Sequence, residues 1–444
     1  MKAEEGLKGL VHRIKALIRR SSLKKRQQPQ RRTKPSPASS DLQTIHTIPS
    51  SRLECLPAEL RCQILSSLPH LDDLKCAAHA SPVLYQQYRA DRKIILDNVL
   101  RQTLGDKVFV DAYAVQKSLP LEGPAELPVN LAVQFFMMAY QKHYLDPSVI
   151  SSECTTEDLI GMVAFYTSTI KPLLNSLPAM LLRNLDRSLQ LGSLSSTERT
   201  RITRALYRFQ MWCNLYGTSD IAAARDWPLD PFDMLMYFFE VFQPWEIEEI
   251  SCIHTFFMDM YDRIFVDVRW DLDSSSIRFL DSPGDSLLGG PVDLSWGDDD
   301  GDHRKELQNG VVSRGLEFHL KIMRTDDHEE LVRTLHPALK VGLNSIDDIL
   351  DRRITMMRRT LNPSDRDKAE RDRQRMMFRR DHADKPPAAW VILWRGGYSN
   401  YYGERIPVSL KRWGYVFWNC GRLSKSRGKE VVTRTWPTGR RARG

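Results

Sequence analysis

The sequence predicts a mainly α-helical protein with a short-stranded aromatic block near its C-terminal end and basic, disordered tails. Three observations carry that expectation. Apolar residues recur at helical spacing from residue 53 to about 265. Proline, glycine and capping residues punctuate that stretch at short intervals. Charge is segregated: the net is +8 over 444 residues, but residues 1–34 carry twelve Lys/Arg against Glu4 and Glu5, and residues 421–444 carry eight against Glu430. The segment between them is therefore net acidic, and the basic balance belongs to solvated arms rather than to a folded groove.

Residues 1–50 are read as a tail. Leu7, Leu10, Val11, Ile14, Leu17 and Ile18 fall on one face of a short basic amphipathic helix. Lys24-Lys25-Arg26 and Arg31-Arg32-Thr33-Lys34 follow, the pattern of a nuclear localisation signal or of a solvated charged tail. No secretory h-region is present, and Glu4 and Glu5 argue against a transit peptide. The longest apolar runs, such as Leu131–Tyr140, are half the length of a membrane span, so a soluble chain without a transmembrane segment is expected. Seven dispersed cysteines without a C-x-x-C pair fit a reducing compartment, cytoplasm or nucleus.

Residues 53–100 are read as a separate small module. Pro57 suits the start of a helix, where its missing N–H is not needed. Glu59 lies in the first turn, where the helix dipole favours a carboxylate. Leu60, Ile64, Leu65 and Leu68 form one stripe, and Pro69 ends the helix. Asp72 is the expected cap of a second helix with Leu74, Ala77 and Ala78. Ser81-Pro82 opens a third, carrying Val83, Leu84, Tyr85, Tyr88, Ile94, Ile95 and Leu96. A unit this small buries little of its surface and needs a neighbour.

The rest divides by composition. Residues 101–266 are a helical body, with breaks at Pro120, Gly123-Pro124, Pro128, Asp146-Pro147, Gly192 and Pro228/Pro231. Its clearest helix is capped by Ser196 or Thr197, runs Ile202, Leu206, Phe209, Trp212, Cys213 and Tyr216 along a core stripe, and ends at Gly217. Residues 267–310 form an acidic, glycine-rich linker, with ten aspartates between 267 and 303. Residues 311–420 are a helical and short-strand region. Ser345 and Ser364 are its candidate caps, and Ala389–Trp394 and Trp413–Trp418 read as strands. Residues 421–444 close the chain as a disordered basic tail.

No catalytic, cofactor or metal constellation is expected. Gly284-Asp285-Ser286-Leu287 with Asp300 and His303 spells hydrolase-like blocks, but only seventeen residues separate the nucleophile from the acid–base pair, and no βα repeat precedes them. Asp298–Asp302 fails the register of a calcium loop, since position six would be His303. His319, His328 and His336 lack the H-E-x-x-H spacing and read as residues of a polar surface helix.

The module resembles the F-box family. The resemblance rests on Leu56-Pro57, Glu59, Ile64-Leu65, Leu68, Asp73-Leu74, Ala77 and Ala80-Ser81-Pro82. The chain is similar to filamentous-fungal proteins in which an N-terminal F-box precedes a helical body. Thr197–Tyr216 and Arg412–Trp418 add to that likeness. One departure is the third helix, which lacks the Val-Cys/Ser-Arg ending common in the family. The resemblance implies a non-catalytic adaptor that binds a Skp-type protein, and through it a cullin, while another region holds an unidentified protein substrate. It also implies that Leu56, Pro57, Glu59, Ile64, Leu65, Leu68 and Leu74 carry adaptor contact, although Leu68 and Leu74 are about as well suited to the module's own core. Two other readings compete. Lys411, Arg412 and Arg422 interleave with Trp413, Tyr415, Phe417 and Trp418, which with the basic tails suggests nucleic-acid contact. A structural scaffold is the third.

Overall fold

A computed structural model of the chain describes residues 52–118, 129–187, 192–217, 230–276, 290–294, 301–340, 345–350, 368–369, 372–396 and 406–435. The N-terminal amphipathic helix, both basic clusters, Ser364 and the Gly284–Leu287 block lie outside them. Among the described residues there is no β-strand, and no helix is long and apolar enough to cross a membrane. The chain divides into two compact units, one of residues up to Phe109 with Val149–Val163, the other of Val110–Ser148 with Ala164 onward. The first unit thus extends past residue 100 and recruits a segment from the expected body.

In the first unit, α1 (Ala58–Ser66), α2 (Leu71–Ala80), α3 (Pro82–Ala90) and α4 (Arg92–Leu104) enclose a core of Ile64, Leu65, Leu68, Leu71, Leu74, Leu84, Ile95, Leu96, Val99 and Leu100. Pro57 precedes α1 with φ −52°, and its carbonyl accepts from the amides of Leu60 and Arg61. The Ser81 hydroxyl accepts from the Val83 and Leu84 amides with Pro82 at the first helical position, as expected. Two expectations change. The cap position of α2 is His70 without a side-chain bond, and Asp72 and Asp73 lie in the first turn, where they meet the positive end of the helix dipole. The third helix is two, because Asp91 leaves helical geometry at φ −107°, ψ 30°.

After α5 (Asp106–Lys117), α6 (Val129–Leu145), α7 (Ser148–Glu153) and α8 (Thr156–Phe165), the chain makes a π-turn at Tyr166–Ile170 and continues as α9 (Lys171–Leu185). The second unit is built on α10 (Ser196–Tyr216), which packs along α12 (Pro244–Leu272); α11 (Pro231–Tyr237) precedes α12. The expected start of α10 moves by one residue. Ser195 is the cap, and its side chain and that of Glu198 bond each other's backbone amides. Gly217 ends the helix as expected, and a Cβ there would stand 2.2 Å from the Ser313 carbonyl oxygen.

The remaining helices are α13 (Gly301–Val312), α14 (Leu316–Met323), α15 (His328–Leu335), α16 (Ile346–Ile349), α17 (Ala388–Trp394), α18 (Val408–Lys411), α19 (Cys420–Lys425) and α20 (Gly428–Thr435). They correct the sequence reading in three places. The acidic linker is narrower than 267–310, because α12 runs on to Leu272 and α13 starts at Gly301. The two expected strands are absent. Ala389–Trp394 lies in α17, and Trp413–Trp418 is a run of turns in which Gly414 takes φ +64° and the Trp418 indole N–H donates to the Trp413 carbonyl at 2.9 Å. Trp413–Trp418 is buried throughout, and in Ala389–Trp394 all but the half-buried Val391 and Ile392 are buried, which erases the alternation that separates strand from helix. The C-terminal segment is not all tail: α19 and α20 bury Leu423 and Val432. Ser345 caps α16 as expected, accepting from the Asp348 amide.

Candidate partner-docking surface

The seven residues expected to carry adaptor contact separate into two groups. Ile64, Leu65, Leu68 and Leu74 are 1–5 % exposed and form the core of the first unit, so their side chains face inward. Pro57 and Glu59 are exposed, and Leu56 is half-buried. The structure adds Leu60, which is 44 % exposed, together with the exposed Tyr85 and Ile94 of α3 and α4. Leu60 was legible as part of the stripe, but it lies in the first turn of α1, one turn before Ile64, and stays exposed there while Ile64 enters the core.

The turn that leads into α1 is held firmly. Arg61 donates through Nη1 to the carbonyls of Glu54 at 3.0 Å and Leu56 at 2.8 Å, and through Nε to Gln87 Oε1 at 3.2 Å. The Ser81 hydroxyl donates to Glu54 Oε1 at 2.5 Å, so the α3 cap also tethers this turn. The start of α1 therefore presents Pro57, Glu59 and Leu60 on backbone fixed by two separate side chains. Such pre-ordering lowers the entropy lost on binding.

The second unit holds a different concentration of chemistry. Along α10, Arg201, Arg204 and Arg208 are at most 1 % exposed. Arg204 forks onto Glu249, with Nε–Oε2 at 2.9 Å and Nη2–Oε1 at 2.7 Å, and meets Glu246 Oε1 at 3.0 Å. Arg208 reaches Asp111 Oδ1 at 3.1 Å and Glu246 Oε2 at 3.1 Å, and lies over the Phe242 ring at 4.4 Å. Tyr140 Oη donates to Asp111 Oδ1 at 2.6 Å. Burial alone would raise the Glu246 carboxyl, yet Arg208 and Arg204 outweigh it and hold the group at about 2. For Glu249 and Asp111 burial wins over the attraction of Arg204 and Arg208, and both carboxyls lie above their ordinary range. Burial lowers Arg201 to about 10. The sequence reading of this helix as an apolar stripe missed these arginines. Their 3–4 spacing, and that of Glu246 and Glu249 on α12, was the signal.

Two of the three histidines expected on a polar surface are buried. His319 bonds Tyr261 Oη at 2.9 Å and the Val312 carbonyl at 2.8 Å and stacks on Phe257, with ring centroids 4.1 Å apart. Burial lowers it to about 3, a neutral core imidazole. His336 bonds the Gly290 carbonyl at 2.8 Å. Only His328 of the three is exposed, with Nε2 2.9 Å from Asp271. Among the described residues no group of three or more His, Cys, Asp or Glu side chains is placed to hold a metal ion. A cleft of about 450 Å3 lies beside α19, lined by Ser193, Asn419, Arg422 and Lys425 among others, and its Arg422 is committed to Glu198 at 2.8 Å.

The aromatic block is closed to stacking. Trp413, Tyr415, Phe417 and Trp418 are at most 2 % exposed, Lys411 is paired with Asp347 at 3.0 Å, and Arg412 with Asp259 at 2.7 Å. No protein-family profile, no curated protein and no solved structure matches this chain.

Proposed function

We propose that the chain is an F-box-type adaptor of a cullin–RING ubiquitin ligase, docking on a Skp-type protein and recruiting a protein substrate through its second unit. The supporting observation is the start of α1. Leu56, Pro57, Glu59 and Leu60 occupy a rigidly tethered helix entry whose apolar atoms reach solvent, while Ile64, Leu65, Leu68 and Leu74 hold it from inside. An adaptor of this kind does no chemistry; it raises the local concentration of substrate beside the conjugating enzyme. Contact therefore rests on Leu56, Pro57, Glu59 and Leu60, with the four core residues acting by shaping the face. This reading places the protein in the cytoplasm or nucleus.

Co-purification with a Skp-type adaptor tests it. The intact chain is expected to retain the adaptor, and Leu56→Ala/Pro57→Ala and Leu60→Asp to lose it with unchanged helical content. A folded wild-type chain that fails to bind the adaptor sinks the proposal. The described residues give no support to nucleic-acid binding by the aromatic block, because its ring faces are covered and its cations neutralised. Weak polyanion contact by the basic tails is a separate matter of charge.

A further inference from the structure

Helix α6 is apolar on two sides. Its inner side packs Val133, Met137 and Tyr140, each at most 2 % exposed. Its outer side carries Leu131, Phe135, Met138 and Leu145, exposed by 40, 58, 57 and 86 %. With Lys142, these residues follow one another at intervals of four, three, four and three, the spacing of a helix seam that meets another helix. A helix that is hydrophobic all round is normally covered all round.

We infer that this outer face pairs with the same face of a second copy of the chain, with the two α6 helices antiparallel. The face is self-complementary in that arrangement. Leu131 and Leu145 each lie seven residues from Met138, so a two-fold axis at Met138 sets Leu131 of one copy against Leu145 of the other and Met138 against itself. Charge selects the direction. Lys142 is the one Lys, Arg, Asp or Glu in residues 129–145. A parallel, in-register pair would set Lys142 against Lys142 with no carboxylate on the helix to separate them. The antiparallel pair instead brings each Lys142 beside the exposed Phe135 ring of the other copy, a cation–π arrangement, and opposes the two helix dipoles. The area is sufficient. Fifteen residues of helix span about 22 Å. A pair of such faces buries roughly 1,000–1,200 Å2 in total, the lower edge of specific interfaces, which corresponds to a reversible dimer rather than an obligate one. The inference stands apart from the adaptor reading, since it uses neither α1 nor the residues around it.

Two measurements test it on the full-length chain. Sedimentation velocity across roughly 1–100 μM should show a concentration-dependent dimer in the micromolar range. Phe135→Asp and Met138→Asp should each weaken it by about tenfold or more without loss of helical signal, since both side chains face solvent in the single chain. Disulfide trapping then reads the register, in a Cys55→Ser/Cys76→Ser background because those two cysteines are exposed. Met138→Cys should give a covalent dimer under mild oxidant. A mixture of chains carrying Leu131→Cys or Leu145→Cys should link 131 to 145 in preference to 131–131 or 145–145. A chain that stays monomeric throughout the range, with Met138→Cys failing to crosslink, overturns the pairing. A preference for 131–131 and 145–145 links overturns the antiparallel register. Because Met138→Cys is a mild change on an exposed site, its readout survives even if an aspartate variant misfolds.

Discussion

Replacing Arg204 by Leu strands a carboxylate, and the size of the loss follows from what that carboxylate does next. Arg204 supplies Glu249 with both of its fork bonds, at 2.7 and 2.9 Å, whereas Glu246 keeps Arg208 at 3.1 Å. Glu249 is fully buried and already lies above its ordinary range with Arg204 present, because burial outweighs the attraction. Without Arg204 it takes a proton. Holding a carboxyl of ordinary pKa near 4.3 neutral at pH 7 costs at most about 3.7 kcal/mol. Part of that cost exists in the parent protein. The lost bonds of Arg204 to Glu246 and to the Ala383 carbonyl add about 1–2 kcal/mol. We expect Arg204→Leu to lower stability by about 2–4 kcal/mol at pH 7, measured by urea denaturation with tryptophan fluorescence. The loss should shrink by more than about 1 kcal/mol toward pH 5, where protonating Glu249 costs less. Arg204→Leu/Glu249→Leu should recover at least half of it, since a buried pair replaced by apolar groups is often neutral. A loss under about 1 kcal/mol, or one that is unchanged between pH 7 and 5, would refute the reasoning.

Three further outcomes are expected. His319 is held near 3 when folded, below its ordinary 6.5, so the unfolded chain binds the extra proton between those values. Its contribution is complete above about pH 6.5 and is lost as pH falls toward 3, at up to about 1.4 kcal/mol per unit; His319→Gln should flatten that part of a stability–pH profile. Leu65→Ala should cost about 2–5 kcal/mol by cavity formation while Leu60→Ala costs under about 0.5, a contrast that denaturation of the two variants separates. Gly414→Ala should cost more than about 1 kcal/mol in the same assay, because residue 414 holds φ +64° and a Cβ there would sit 2.5 Å from Phe417 Cδ2.

The two ends of α10 were legible to within a residue because capping and termination are local chemistry, written in Ser195, Glu198 and Gly217. Its buried arginines were not, because a helix enclosed on every side shows no polar face to mark, and the partners of Arg204 and Arg208 lie on other elements. Burial of nearly every residue likewise hid the helix at Ala388–Trp394 and the turns at Trp413–Trp418. In the first unit, Ser81-Pro82 read correctly for the same local reason as Ser195. Which member of the stripe was covered depended on α3 and α4, which one helix's periodicity does not contain; hence Leu60 stays exposed and Ile64 is buried.

Glu198 has one more consequence, and it concerns synthesis. Its buried carboxylate is met by the Asn419 amide at 3.1 Å and by Arg422 through Nε and Nη2 at 2.8 and 3.0 Å. Those partners are made more than two hundred residues after it. At ribosomal rates of roughly 5–20 residues per second, α10 waits on the order of 10–45 s before its first turn can close against them. Until then Glu198 has only the local Ser195 amide of its capping box as a partner, and a chain that ends before Arg422 lacks the cation that accompanies its burial.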